Sequence, residues 1–157
     1  IRIKRIKGKE YAYLVTNKWT SRGTRQVTKK YLGRAARLDI VKDSEFKKGY
    51  KEQSSLKEVL TELITWELKR RGFEGQKVLT KGDMHFSTRS LKLTNKNKPL
   101  SIVINEGVLN DFTIKKILNC SKKEFEHETM YELAKLVVES GIQVPKEIFV
   151  DLYDRIK

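Results

Sequence analysis

The chain has 157 residues, with 34 Lys and Arg against 20 Asp and Glu, a formal net charge of +14 and a single cysteine. This length suits one domain, or one domain with a small appendage, and can bury a core without disulfides or metals. Cys120 alone excludes an internal disulfide and any metal site built on several cysteines; no apolar run approaches the ~20 residues of a membrane span, so a reducing cytosol is the expected compartment. The basic excess is graded along the chain. Residues 1–50 carry fifteen basic and four acidic side chains, residues 51–98 eleven and six, and residues 99–157 eight and ten. One strongly basic end on a neutral-to-acidic body points to a polyanionic partner for that end. Charge enrichment with few Gln, one Cys and two Met also matches a thermophile's ion-pair surface, or a nucleotide bias in the genome.

Taken in chain order, Ile1–Lys7 alternates apolar and basic residues, lacks the apolar stretch of a secretory signal and reads as a strand. Gly8-Lys9 is a turn. Glu10–Trp19 is aromatic and β-branched, and Thr24–Leu32 is a further strand across the loop Thr20-Ser21-Arg22-Gly23, so three antiparallel strands are predicted, the last two as a hairpin. Period-two geometry puts Tyr11, Tyr13, Val15 and Trp19 on one face of their strand, and Arg25, Val27, Lys29 and Tyr31 on one face of the next. Residues 39–53 are polar and aperiodic, a linker or long loop between a basic module (1–38) and an α+β body (54–157).

Ser55 and Glu58 form a capping box before Leu56, Val59, Leu60, Leu63, Ile64 and Leu68 at helical spacing, and Lys69-Arg70-Arg71-Gly72 ends that helix. Strand-like residues resume over 76–105, with a break between Thr88 and Leu91 read as a bulge and a turn at Asn95–Pro99, giving a second small antiparallel sheet. The last third is helical: Phe112–Leu118, then a long helix opened by a Ser121/Glu124 capping box and stopped by Gly141. A final helix opens at Val144-Pro145, with Ile148, Phe149, Leu152, Tyr153 and Ile156 on one stripe. The predicted class is α+β.

No phosphate-binding loop, dinucleotide fingerprint or nucleophile elbow is present. No catalytic residue, metal ligand set or cofactor is assigned. His85 beside Asp83 begins a catalytic or metal arrangement, but neighbours in a strand point to opposite faces; His127 sits in a charged helix start. Asp83, Glu106 and Asp111 are carboxylates that would have to converge for a magnesium-dependent nuclease.

The hairpin carries the stronger signal. Lys18, Arg22, Arg25, Lys29, Lys30, Arg34 and Arg37 are interleaved with Tyr11, Tyr13, Trp19 and Tyr31. Cations neutralise phosphates and release counterions, and aromatic faces stack on unpaired bases. The alternative is a hairpin core of aromatics with a solubilising basic edge. Lys69-Arg70-Arg71 and Lys96-Asn97-Lys98 either extend the basic surface or are a helix end and a solvent turn.

The segments Lys9–Val15, Arg22–Gln26 and Lys30-Tyr31-Leu32-Gly33 resemble the N-terminal hairpin leader of some DDE-type transposases: an aromatic strand, a basic turn and a strand ending in Leu-Gly. The resemblance implies a hairpin that contacts nucleic acid, and not transposition, because the chain is too short for that catalytic domain and shows no matching acidic triad. The remainder resembles short basic proteins of archaeal type. The expected function is non-catalytic nucleic-acid binding, structured RNA ahead of DNA because stacking aromatics suit irregular RNA, within a ribonucleoprotein assembly. The alternatives are a subunit docking a larger protein through its C-terminal helices, and the nuclease.

Overall fold

In a computed structural model, which describes residues 1–120 and 126–155, the chain opens as a long antiparallel meander of β1 (Arg2–Ile6), β2 (Lys9–Thr20) and β3 (Gly23–Arg37). Lys7 and Gly8 both take positive φ, 49° and 77°, the backbone a two-residue hairpin turn requires. The end of β3 then leaves β2 and pairs in parallel with β8 (Lys98–Ile104), Arg34 opposite Leu100 through Arg37 opposite Val103. Gly33 makes that junction possible: its φ is +111°, and a Cβ there would overlap the carbonyl of Pro99.

The body continues with β4 (Glu74–Gly75), β5 (Val78–Lys81), β6 (Met84–Ser87), β7 (Lys92–Asn95) and β9 (Gly107–Leu109). The strand order is β1-β2-β3-β8-β7-β6-β5-β4, with β9 also on β8. The meander and the expected second sheet are therefore one sheet joined at β8. The break at Thr88–Leu91 is a chain reversal and not a bulge. Ser87 pairs with Lys92, Leu91 N donates to Ser87 O at 2.8 Å, and Leu91 has φ +53°.

Among the described residues four helices complete an α+β fold: α1 (Leu56–Arg70), α2 (Asp111–Leu118), α3 (Glu126–Ser140) and α4 (Lys146–Asp154). Ser55 and Glu58 form the predicted capping box on α1, and the Ser55 backbone and hydroxyl hold the Glu58 carboxyl below its usual range. Asn110 caps α2 by accepting from the N–H groups of Phe112 and Thr113. Pro145 stands at the N-cap of α4. The proposed Ser121/Glu124 box and Ile156 lie outside the described residues. The core joins Leu60, Leu63 and Ile64 of α1 to Phe86, Leu93, Leu100 and Ile102 of the sheet and to Ile117, Leu133, Ile148 and Leu152 of the later helices. Ala12, Leu32 and Ala35 are also buried, outside this main cluster.

At the end of α1, Glu67 and Arg71 are an ion pair almost fully buried, at 0% and 1% exposure. Arg71 also donates to Leu38 O and Asn105 Oδ1, both at 3.2 Å, and Glu67 Oε1 accepts from Gln143 N at 2.9 Å. Arg70 reaches Gln143 and Asp43 and lies over the Trp66 ring.

Residues 39–53 form no helix or strand but are tied to the helices. Trp66 Nε1 donates to Ser44 O at 3.0 Å, Phe46 packs edge-on against Trp66, and Gly49 N donates to Glu62 at 3.1 Å. Arg155 of the last turn donates to the carbonyls of Lys51, Glu52 and Ser54. Buried Tyr50 donates its hydroxyl to Asp151 at 3.0 Å. Burial, then the Asp151 carboxylate, pushes the Tyr50 phenol up to about 12 from 10.0. The unfolded chain thus gives up this proton first, so the stabilisation is fully present below pH 10.0 and is lost as the pH rises towards about 12. Tyr50→Phe should cost about 1 kcal/mol at neutral pH and flatten the alkaline loss of stability between those two values in urea melts. Parallel pH profiles for the two proteins would contradict this assignment.

Candidate nucleic-acid interface

The basic meander narrows to a two-stranded arm. β1 covers β2 only from Lys9 to Tyr13. Beyond Tyr13, β2 has one partner, β3, and the two run on to a turn at Ser21-Arg22, closed by the Thr20–Gly23 pair and by Thr20 Oγ1 donating to Gly23 O at 2.6 Å. Thr16 to Gln26 is exposed throughout. Seven residues of β2 project in this way, Leu14 to Thr20, a reach of about 23 Å at the rise of a strand.

Two extra residues in β3 set the faces of the arm. Ala12 faces Gly33 and Tyr13 faces Tyr31, which leaves Leu32 unmatched; Leu14 faces Lys30 and Val15 faces Thr28, which leaves Lys29 unmatched. An inserted residue reverses the side on which later side chains emerge. Tyr31 therefore lies on the opposite face from Arg25 and Val27, contrary to the simple alternation expected from the sequence. It joins Tyr13 and Tyr11, at ring separations of 5.5 and 6.4 Å.

The first face is aromatic at its root and internally braced. Lys4 Nζ lies 5.1 Å from the centre of the Tyr13 ring and donates to Thr28 Oγ1 at 3.3 Å, and Arg2 donates to Gln26 Oε1. Burial, with the Tyr13 and Tyr11 hydroxyls next, raises the Tyr31 phenol above its ordinary value, and Arg34 works against this. Trp19 shares the face near the tip and is 86% exposed. The second face holds Lys18, Arg25 and Lys30, with Lys18 directly opposite Arg25. Like charges in that position repel. Among the described residues no acidic side chain pairs with any of these three. Glu10 is the only acid in residues 1–38, and it is taken by Arg37 at the root, Nε to Oε2 at 2.9 Å.

The structure thus brings Lys18, Arg25 and Lys30 together, gathers Tyr11, Tyr13 and Tyr31 at the root, sets Arg22 in the turn and Lys29 in the bulge, and holds Arg37 in an ion pair. Arg2 and Lys4, which brace the arm, were not singled out by sequence; their alternation with Ile3 and Ile6 was the available signal. Arg70 and Arg71 are buried and add nothing to the basic surface. Asp83 pairs with Lys96 at 3.2 Å, and Asp111 accepts from Leu93 N at 2.9 Å. Among the described residues no three His, Cys, Asp or Glu side chains gather to hold a metal ion. His85 is half-buried in β6, and the side chain of His127 lies outside the described residues. No helix among the described residues is long and apolar enough to cross a membrane. Comparison of the chain with protein-family models, curated proteins and solved structures gives no match.

Because Lys18 and Arg25 repel across the arm, Lys18→Thr should slow amide hydrogen exchange in the outer arm by up to about fivefold, the equivalent of a cross-strand term of at most about 1 kcal/mol. Unchanged or faster exchange would show that the pair carries no strain.

Proposed function

We propose that this protein binds nucleic acid without catalysing a reaction on it, and that the β2–β3 arm is the contact element. One observation carries the reading: the arm is exposed from Thr16 to Gln26 with Lys18 and Arg25 opposed, and among the described residues no acid pairs with either. A fold gains nothing from such an arrangement in isolation. A polyanion converts it into a gain, because each phosphate neutralised releases condensed counterions. The transposase-like pattern in residues 9–33 supports the same role for the hairpin and no more than that.

The expectation of structured RNA rested on stacking aromatics, on Lys-rich shape recognition and on the absence of a recognition-helix pattern. Three of the aromatics gather at the root, where Tyr31 packs on Tyr11 and Tyr13 while staying 45% exposed, and Trp19 stands apart near the tip. A second reading, docking to a larger protein or ribonucleoprotein assembly, draws on α3, where Tyr131 and Val138 are 75% and 65% exposed and lie seven residues apart. It concerns a different surface and is compatible with the first. The nuclease reading gains nothing from Asp83 and Asp111, which are engaged by Lys96 and by Leu93 N.

Binding should be measured by fluorescence anisotropy against DNA and RNA over a salt series. Removing one cation that neutralises a phosphate reduces the slope of log affinity against log salt by about 0.7 to 0.9. Replacing Arg22, Arg25, Lys29 and Lys30 together by Ala should therefore flatten the slope by about three. An unchanged slope would place the interface elsewhere, and absence of salt-sensitive binding by the parent chain would refute the function.

A further inference from the structure

We infer that the arm enters the major groove of double-stranded B-form DNA, with its Lys18/Arg25 face turned to the base edges; this rests on the nucleic-acid reading above. Size is the first argument. A free antiparallel ribbon has two strands ~4.8 Å apart, and the major groove of B-DNA, about 12 Å wide and 8.5 Å deep, admits such a ribbon. The major groove of A-form RNA is deep and narrow, and side chains cannot read it.

Occupancy of the two faces is the second argument. On the aromatic face, Gln26 and Thr28 already accept from Arg2 and Lys4, and Tyr13 and Tyr31 are packed together. Those two acceptors are engaged in bracing the arm. On the other face, Lys18 and Arg25 stand as a matched pair of donors, and the next pair inward is Thr16 opposite Val27. Lysine and arginine donors suit guanine O6 and N7, and the methyl groups of Thr and Val suit the thymine methyl. Arg22 in the turn and Lys29 in the bulge lie at the two ends of this reading patch, where phosphate contacts would fix its register. Single-stranded ligands fit less well, because they call for a series of exposed rings, whereas Trp19 stands alone near the tip and the half-exposed Tyr31 is held against Tyr11 and Tyr13 at the root.

The test is anisotropy of the full chain at about 0.15 M ionic strength with four ligands of one sequence, about 20 base pairs or nucleotides long: duplex DNA, duplex RNA and the two single strands. A fifth ligand is the same DNA duplex with its major groove filled by glucosylated hydroxymethylcytosine, and netropsin is added separately to occupy the minor groove. The inference predicts that duplex DNA binds at least about tenfold tighter than duplex RNA or either single strand. It further predicts that glucosylation abolishes this preference and that netropsin has no effect. Lys18→Ala with Arg25→Ala should lose at least about tenfold on duplex DNA, with an unaltered circular dichroism melt of the body. Tighter binding to RNA or single strands, competition by netropsin, indifference to glucosylation, or undiminished binding by the Lys18/Arg25 double variant would each overturn groove entry while leaving nucleic-acid binding intact. Failure to bind any of the ligands would instead overturn the parent reading.

Discussion

The buried pair of Glu67 and Arg71 is the interaction on which the rest of the molecule depends. It closes the end of α1 against three other places in the chain. Arg71 holds the carbonyl of Leu38, immediately after β3, and the side chain of Asn105 in the β8–β9 turn. Asn105 in turn donates to Gly141 O at 2.6 Å, and Glu67 accepts from Gln143 N, so the exit of α3 is fixed to the same point. Two charges held this far from water stabilise only as a satisfied set. Removing one partner from such a set costs about 3–5 kcal/mol, while exchanging the whole set for well-packed apolar groups is often neutral. Its contribution here is geometric: it sets where β3 leaves the core, and therefore where the arm is rooted.

From that root outward the support thins in a graded way. At β8 the arm's strand is part of the main sheet, and Gly33 allows the close approach. Next come β1 and the three tyrosines, then the two side-chain bonds from Arg2 and Lys4. Past Gln26, towards the turn, only the hairpin ladder remains. An isolated two-stranded hairpin is marginal in water, and this one carries mutual repulsion at Lys18 and Arg25. Such a gradient, with a rigid base and a tip at the low end of local stability, is the pattern of segments that engage a ligand. Coulomb repulsion within the tip and attraction to a polyanion arise from the same residues, so the feature that weakens the free arm is the one that would drive the proposed binding.

Much of this was legible in the sequence. The capping box at Ser55 and Glu58, the apolar spacing of α1 and the three opening strands follow from local chemistry, and the α+β class follows from them. What was not legible was non-local. Parallel pairing of β3 with β8 joins residues 34–37 to 100–103, and nothing in either segment announces the other. The extra residues Leu32 and Lys29 are ordinary strand residues, so alternation placed Tyr31 on the wrong face. Arg70 and Arg71 follow the rule for basic helix ends, and their burial depends on partners 34 and 73 positions away. In the interface, the composition of the arm was readable from the start. Its two unequal faces, one braced and one open, were not.

The central claim is that the arm, and not the charge of the whole chain, carries the function. The most direct measurement removes residues 16–27 and joins Val15 to Thr28 through Asn-Gly, a two-residue turn suited to a hairpin. Thermal melting and nucleic-acid affinity are then compared with those of the parent chain. The account predicts that the body melts as before, since none of residues 16–27 is buried, and that salt-sensitive binding disappears. A shortened chain that still binds nucleic acid with the parent's affinity and salt slope would contradict it.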